Sequence, residues 1–382
     1  MATLPLSLYV HVPWCVRKCP YCDFNSHTAP LNPPQTNYID ALLSDLSQDI
    51  ARFQPTTPLS SIFIGGGTPS LFDATAIDTL LRGIRERIDV RIDAEITLEA
   101  NPGTADAAGF EGYLRAGVNR LSIGVQSLSD PHLKRLERIH DATQARGAVS
   151  TAHRAGFDNI NLDLMYGLPK QTLSQSRRDI EDLIELNPQH ISYYQLTLEP
   201  NTAFHHNPPE VPDSDLVADM HTQGFESLRC AGFFQYEVSA YGRPGRQCRH
   251  NLNYWRFGDY LGIGAGAHGK ISRTNLGQVA RTWKLRHPDA YLAATPDRRI
   301  QGERILEPED LILEFAMNAL RLTGGFPANL FSERTGLPID TIKDQIASAA
   351  QAGLLETDEE AIRPTPLGRT FLNDALQHFA TG

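Results

Sequence analysis

Two hydrophobic periods alternate along the first half of this chain. An apolar run over residues 6–12 reads as a strand. A three-to-four-residue spacing then predicts a helix over 37–53, with Ile39, Leu42, Leu43, Leu46 and Ile50 on one face. Residues 61–64 form a short apolar run ending in glycines, which predicts a buried strand. The pattern continues with a helix over 74–88, a strand over 95–99, a helix over 104–116 and a strand over 120–126. Helical segments over 131–136 and 142–155 precede a strand over 159–166, a helix over 173–186 and a strand over 190–198. Strands alternating with helices of about a dozen residues predict a parallel sheet with helical crossovers. Six such units are visible, and periodicity leaves open a closed eight-stranded barrel or an open partial one.

The pattern changes after residue 198. A helix over 213–230 is followed by a strand over 235–241 and a Gly/Pro turn. Two loops come next, one running from Arg249 to Trp255 and one glycine-rich from Leu261 to Gly269. These are expected to fold back as a cap over the sheet's rim. From about Glu307 the chain turns helical, over 310–321, 330–335 and 339–352, with an acidic turn at 356–360 and a strand-like 361–363. Helix, turn, helix and hairpin resemble a winged-helix module. The organisation expected is a core over 1–200, a cap over 201–304 and a winged-helix-like domain over 305–382.

Composition narrows the function classes. The net charge is −10 without a basic run to offset it, which argues against nucleic-acid binding, even for the winged-helix-like part. No stretch approaches the ~18 apolar residues of a membrane span, and the N-terminus carries no export pattern. Five cysteines, three of them clustered, suit a reducing compartment and a metal centre better than a disulfide framework. A cytoplasmic location is expected, with peripheral membrane contact left open.

The clustered three are Cys15, Cys19 and Cys22, a C-x3-C-x2-C run straight after the first strand. Zinc, buried thiols and an iron–sulfur cluster are the candidates. Zinc spacings pair two C-x2-C units far apart, and no second unit exists here. Soft thiolate ligands favour the cluster, and three sulfurs on four irons would leave one iron open. Other polar motifs fall at strand ends too: Gly65-Gly-Gly-Thr68 after the second, Glu99 at the third, Gln126 at the fourth and Asp163 within the fifth. In parallel α/β sheets the carboxyl ends of the strands collect functional groups, so one rim should gather all of them. The glycine segment lacks the Lys-Ser/Thr of a phosphate loop and could equally be a tight turn.

The wording around the cysteines, YVHVPWC and CPYCDF, with GGGTPS and GVQS further on, resembles the radical S-adenosylmethionine (SAM) superfamily. Within it the likeness is to the branch of oxygen-independent coproporphyrinogen III dehydrogenase and its heme-chaperone relatives, over essentially the whole chain. The resemblance implies a partial (β/α)6 barrel with a C-terminal cap and a small helical domain. It implies a [4Fe–4S] cluster on Cys15, Cys19 and Cys22, whose open iron chelates SAM, and reductive cleavage to a 5′-deoxyadenosyl radical. Carried over by position, Gly66, Gly67 and Thr68 would contact the amino group of SAM. Glu99, Gln126, Arg138 and Asp163 would be further SAM ligands, and Tyr9 and Tyr21 would contact SAM or simply pack.

The stretch H-N-x-x-Y-W at His250 resembles the chaperone branch, making His250 a candidate heme contact facing the rim, with Cys248 beside it. A histidine packed under aromatic residues is the structural alternative. His268 is a weaker candidate, and His205-His206 is incidental. Three features favour a heme chaperone serving client hemoproteins over the dehydrogenase. The cysteine run continues as Cys22-Asp-Phe24 where the enzyme has C-x-C, only eight residues precede Tyr9, and the H-N-x-x-Y-W stretch is present.

Overall fold

A computed structural model describes residues 4–104, 106–273 and 276–380. Its backbone is one sheet of twelve strands, here numbered in chain order. Six carry the expected alternation: β1 (Leu6–Val12), β2 (Leu59–Gly66), β3 (Val90–Ala100), β4 (Arg120–Gln126), β5 (Ile160–Tyr166) and β6 (His190–Gln195). The rest are β7 (Phe234–Glu237), β8 (Ala240–Gly242), β9 (Asp259–Ile263), β10 (His268–Arg273), β11 (Gln278–Lys284) and β12 (Ile300–Ile305). Their order across the sheet is β12-β11-β10-β9-β1-β2-β3-β4-β5-β6-β8-β7. Every neighbouring pair from β9 through β6 is parallel, so seven strands run in one direction. The six expected units are joined by a seventh strand from far along the chain. Antiparallel strands complete both edges.

One expectation is corrected here. Residues 234–305, expected as a cap of strands and loops over the rim, enter the sheet itself. They lengthen the core sheet at both ends, and the Arg249–Trp255 stretch is a helix. The strand signal of β10 to β12 is weak because charged residues stand at buried positions, Lys270 in β10 and Lys284 in β11, so polarity does not follow burial along them.

The crossover helices lie on one face of the sheet. Helix Gln35–Phe53 buries Tyr38, Ile39, Leu42 and Leu46 against Leu8, Val10, Ile62 and Ile64 of β1 and β2. Helices Ala142–Arg154 and Leu173–Glu185 each start with a capping box, from Asp141 with Gln144 and Thr172 with Gln175, which satisfies two otherwise orphaned N–H groups. Residues on the opposite face of the strands point into the barrel lumen and are largely polar. A strand's period of two sorts the two sets.

The C-terminal part has helices Pro308–Ala319, Ala328–Thr335 and Lys343–Gln351, then a hairpin of Leu355–Thr357 with Ile362–Pro364. Two short helices, Pro366–Thr370 and Leu372–Gln377, follow without an expectation from the sequence. Phe315, Phe326 and Phe331 share an apolar cluster with Phe257, Val279 and Leu306 of the sheet region. Ion pairs Arg281–Glu314 and Arg321–Glu237 fasten the same contact. The module thus packs against the sheet region of its own chain.

Candidate functional site

The cysteine loop leaves β1 at the carboxyl end of the strands. It is stitched by Cys22 N–H to the Cys19 carbonyl (3.1 Å), His27 N–H to Pro13 (2.7 Å) and Ala29 N–H to Cys15 (2.8 Å). The segment after β2 is sewn to it: Gly67 N–H donates to the Val12 carbonyl (2.7 Å) and Thr68 N–H to Trp14 (2.8 Å). Gly66 N–H donates to Glu99 Oε2 (3.0 Å). Those three donors are spent inside the protein, so the glycine segment is not a phosphate cradle. A Cβ on Gly67 would lie 2.5 Å from the Trp14 carbonyl oxygen, which is why this position has no side chain.

Cys15, Cys19 and Cys22 line one cavity of about 310 Å³ together with Tyr21, Gly66, Gly67, Thr68, Glu99, Gln126, Arg138 and Asp163. The predicted rim therefore gathers all but two of the candidate residues. A register shift in β4 gives Gln126 a φ of 67°, and its Oε1 accepts from Tyr194 Oη at 2.6 Å. Arg138 donates from Nη2 to the Gly124 carbonyl (2.9 Å) and from Nη1 to Cys19 Sγ (3.4 Å), while its buried Nε has no partner. Tyr21 packs toward Phe204, whose N–H holds the loop through the Pro20 carbonyl.

Two acids sit in this cavity under strain of charge. Burial, then the Asp163 carboxylate, pushes Glu99 up to about 8, against the pull of the Gly66 N–H and Arg120. Burial also raises Asp163, opposed first by the Asn161 amide, which donates to it at 2.8 Å. The thiols of Cys15 and Cys22 are raised by burial, with the hydroxyl of Thr68 beside the first and that of Ser26 beside the second pulling back.

The two exceptions are Tyr9 and His250. Tyr9 lies in a neighbouring cavity, hydrogen-bonded to His11 Nδ1 at 3.0 Å and stacked on Phe63. His250 is not at the rim. Its helix enters from the amino end of the strands, and the imidazole is buried with both nitrogens engaged, Nδ1 with Ser61 Oγ (3.0 Å) and Nε2 with Tyr254 Oη (2.8 Å). Burial pushes it down to about 3. Cys248, equally buried, is pushed up to about 12 and donates to Glu95 Oε1. The aromatic setting read from H-N-x-x-Y-W is real, but it is a plug in the lumen. His205 and His206 end a short helix and are exposed.

A radical SAM superfamily model matches residues 9–186, and one for the HemN C-terminal domain matches 306–371. The heme chaperone HemW of Escherichia coli K12 is 50% identical over 375 residues, 98% of each chain. That of Haemophilus influenzae is 48% identical over 380 residues, 99% of this chain and 98% of the other. This chain belongs to the HemW family of radical SAM proteins. The solved E. coli coproporphyrinogen III oxidase (HemN) matches with a TM-score of 0.82 over 99% of this chain and 90% of the other, at 23% identity. That likeness establishes a shared fold.

The family implies a [4Fe–4S] cluster and SAM, and the cavity fits them. Its donor set is three thiols on one wall, yet among the described residues no three His, Cys, Asp or Glu side chains converge on a single ion. Three thiols also fall short of the four protein ligands of a structural zinc site. They suit a cluster, where each thiolate takes its own iron. Opposite lie raised carboxyls able to face an ammonium group and a buried guanidinium nitrogen lacking a partner.

Sequence reasoning missed Arg120, Ser122, Asn161, Ser192 and Tyr194, which form the floor of the cavity. The signal was present as polar residues at every second position of apolar strands: Arg120 and Ser122 in β4, Asn161 and Asp163 in β5, Ser192 and Tyr194 in β6. Among the described residues no helix is long and apolar enough to cross a membrane.

Proposed function

We propose that this protein is a heme chaperone, which binds heme and hands it to client hemoproteins, and which carries a [4Fe–4S] cluster and SAM. The observation that carries the cofactor part of the reading is one cavity lined by Cys15, Cys19 and Cys22 on one side and by Glu99, Gln126, Arg138 and Asp163 on the other. The chaperone part is supported by relatives named as heme chaperones at about half identity over nearly the full chain.

The cluster would be held by the three cysteine thiolates, which lose their protons on binding iron. Bound there, the cluster and SAM would supply one-electron chemistry. The chain's own residues set the conditions for it. Glu99 would accept from the SAM amino group, and in doing so would give up the proton that burial favours on it in the ligand-free protein. The N–H groups of the Gly66–Thr68 segment are spent and the Thr68 carbonyl accepts from Leu71 N–H (3.0 Å), so the carbonyls of Gly66 and Gly67 would be the segment's acceptors toward the ligand. Arg138, pinned by Gly124 and close to Cys19, would orient the SAM carboxylate. Gln126 and Asp163 would take the remaining polar edge of the ligand.

Phe24 stands where the dehydrogenase has its last cysteine and is 61% exposed beside the cavity. The test is an anaerobic reconstitution followed by two parallel assays. Heme titration should show stoichiometric binding, and coproporphyrinogen III with SAM and a reductant should be returned unchanged. Protoporphyrinogen formation would make this protein a dehydrogenase instead. Substituting any of Cys15, Cys19 or Cys22 by Ala should abolish the cluster's visible absorbance. Unchanged iron and sulfide in all three variants would remove the cluster assignment.

A further inference from the structure

A second cavity, of about 750 Å³, adjoins the cluster cavity and shares Phe24, Gly66 and Glu99 with it. Its volume lies within the roughly 300–1,000 Å³ of small-molecule sites. The cavity follows from one row of residues across the sheet. Tyr9 on β1 pairs with Gly262 on β9, and His268 on β10 pairs with Trp283 on β11, which in turn pairs with Gly302 on β12. At Gly302 a Cβ would lie 2.1 Å from Trp283 Cζ2, so the indole lies flat across the missing side chain. At Gly262 a Cβ would collide with the His268 carbonyl at 1.9 Å, so the β10 backbone lies close against β9 there and His268 borders the cavity. Tyr9 and Trp283 stand three strand spacings apart, on the order of 14 Å, with an aromatic wall at each end. The slot so bounded offers an aromatic face at each end to a ring-bearing ligand.

The polar groups of the slot are few and separated by role. His11 is spent, with Nε2 on the Asn25 carbonyl (2.9 Å) and Nδ1 on Tyr9. His268 is exposed to the slot and makes no side-chain hydrogen bond among the described residues. Burial lowers its pKa, followed by the charges of Arg281 and Arg286, so it is held as the neutral imidazole. Lys284 is committed to Asp45 and Asp49. Arg286, exposed at the slot's edge, forms no ion pair among the described residues. Asn25 ties this wall to the cysteine loop, its Nδ2 donating to the carbonyls of Ala265 (2.9 Å) and Arg286 (2.8 Å).

We infer that this slot is where heme sits, with His268 as an axial ligand to its iron, Trp283 and Tyr9 flanking the macrocycle and Arg286 pairing with a propionate. The inference rests on the chaperone reading above and assigns the ligand that reading leaves open. A neutral imidazole free on both nitrogens is a good iron ligand, and an unpaired guanidinium suits a carboxylate edge. The shared wall at Gly66 and Glu99 would then put heme next to the cluster site.

The test is a hemin titration of the full chain followed by its Soret and visible bands. His268→Ala should lose the imidazole-ligated spectrum and bind about tenfold or more weakly, with free imidazole restoring the bands. Arg286→Ala, at an exposed position that should not affect folding, should weaken heme about tenfold and leave heme dimethyl ester unaffected. If the wild-type protein binds heme while both variants match it in spectrum and affinity, the slot is the wrong site and the chaperone reading stands. Should His268→Ala fail to fold, equal heme affinity of Arg286→Ala and wild type would still overturn the inference. No heme binding by the wild-type chain would bring down the chaperone reading itself, and this inference with it.

Discussion

Glu99 gives the sharpest test of how the cavity is built. Its carboxyl is displaced from 4.5 to about 8, by burial first and the Asp163 carboxylate second. The unfolded chain loses this proton near 4.5 and the folded chain holds it to about 8, so folding takes up a proton in between. The group therefore costs nothing below about pH 4.5, and stability declines as pH rises until the folded carboxyl ionises. At about 1.4 kcal/mol per pH unit the displacement corresponds to about 5 kcal/mol, and water reaching the half-buried side chain through the open cavity reduces the expectation to about 2–4 kcal/mol. Glu99→Gln removes the ionisation while keeping an acceptor for the Gly66 N–H. In urea unfolding of the cluster-free protein, the variant should exceed wild type by about 2–4 kcal/mol near pH 8.5 and by less than about 1 kcal/mol near pH 5. The same variant should bind SAM more weakly. A stability difference independent of pH, or a variant less stable than wild type at the higher pH, would refute the reasoning.

Gly67→Ala would force a methyl group to 2.5 Å from the Trp14 carbonyl oxygen, so we expect a loss of about 1–3 kcal/mol and poorer iron retention on gel filtration; a stable variant with full iron would contradict the close approach. Lys284→Met strands the Asp45 and Asp49 carboxylates, to which Lys284 Nζ lies 2.6 and 2.7 Å away. Its cost should be about 3–5 kcal/mol. Asp49 is already raised to about 6 by burial, so protonation should shrink the penalty below that pH in denaturant titrations. His250→Ala should lower stability by about 2–4 kcal/mol, from a lost buried ring and two hydrogen bonds, while iron and sulfide content stay at the wild-type level. Loss of the cluster without loss of stability would make His250 part of the site after all.

Where the sequence carried a strong period, the fold could be read from it. The strand over 120–126 matches β4 residue for residue, and the helix over 142–155 ends within one residue of the observed Arg154. The cysteine cavity was equally legible, because strand ends are marked in sequence by a switch from apolar to polar or glycine. What escaped was long-range pairing. Nothing local in Asp259–Ile263 says that it lies parallel to Leu6–Val12, because the partner is chosen by the whole sheet. His250 was misplaced for a related reason. Its aromatic neighbours in sequence, Tyr254 and Trp255, suggested a loop facing the rim, whereas its spatial neighbours Phe63 and Tyr9 come from the strands.

The two ends of the lumen differ in how their polar groups are satisfied, and that difference locates the chemistry. At the amino end the bonds form a connected chain. Ser7 meets Ser61, Ser61 meets His250, and the His250 N–H meets Glu95. Across the lumen Cys248 N–H meets Tyr236, whose hydroxyl meets His190, and His190 meets Asn161. Thr97 Oγ1 and Asn253 Oδ1 find no partner, but these buried groups form a connected network, and such a network rigidifies a core. Asn161 is the last link, and its amide reaches Asp163 at the boundary with the cavity. At the cavity the shortfall falls on ionisable groups: Glu99 keeps one donor, Arg120 Nε and Arg138 Nε have no partner, and both acids are pushed toward their neutral forms. Groups left short of partners in a native structure call for a ligand. A cationic, carboxylate-bearing molecule such as SAM would answer both deficits at once, giving the acids an ammonium and the guanidinium a carboxylate. The packed lower half is then what fixes the strands closely enough for the unsatisfied upper half to persist without its ligand.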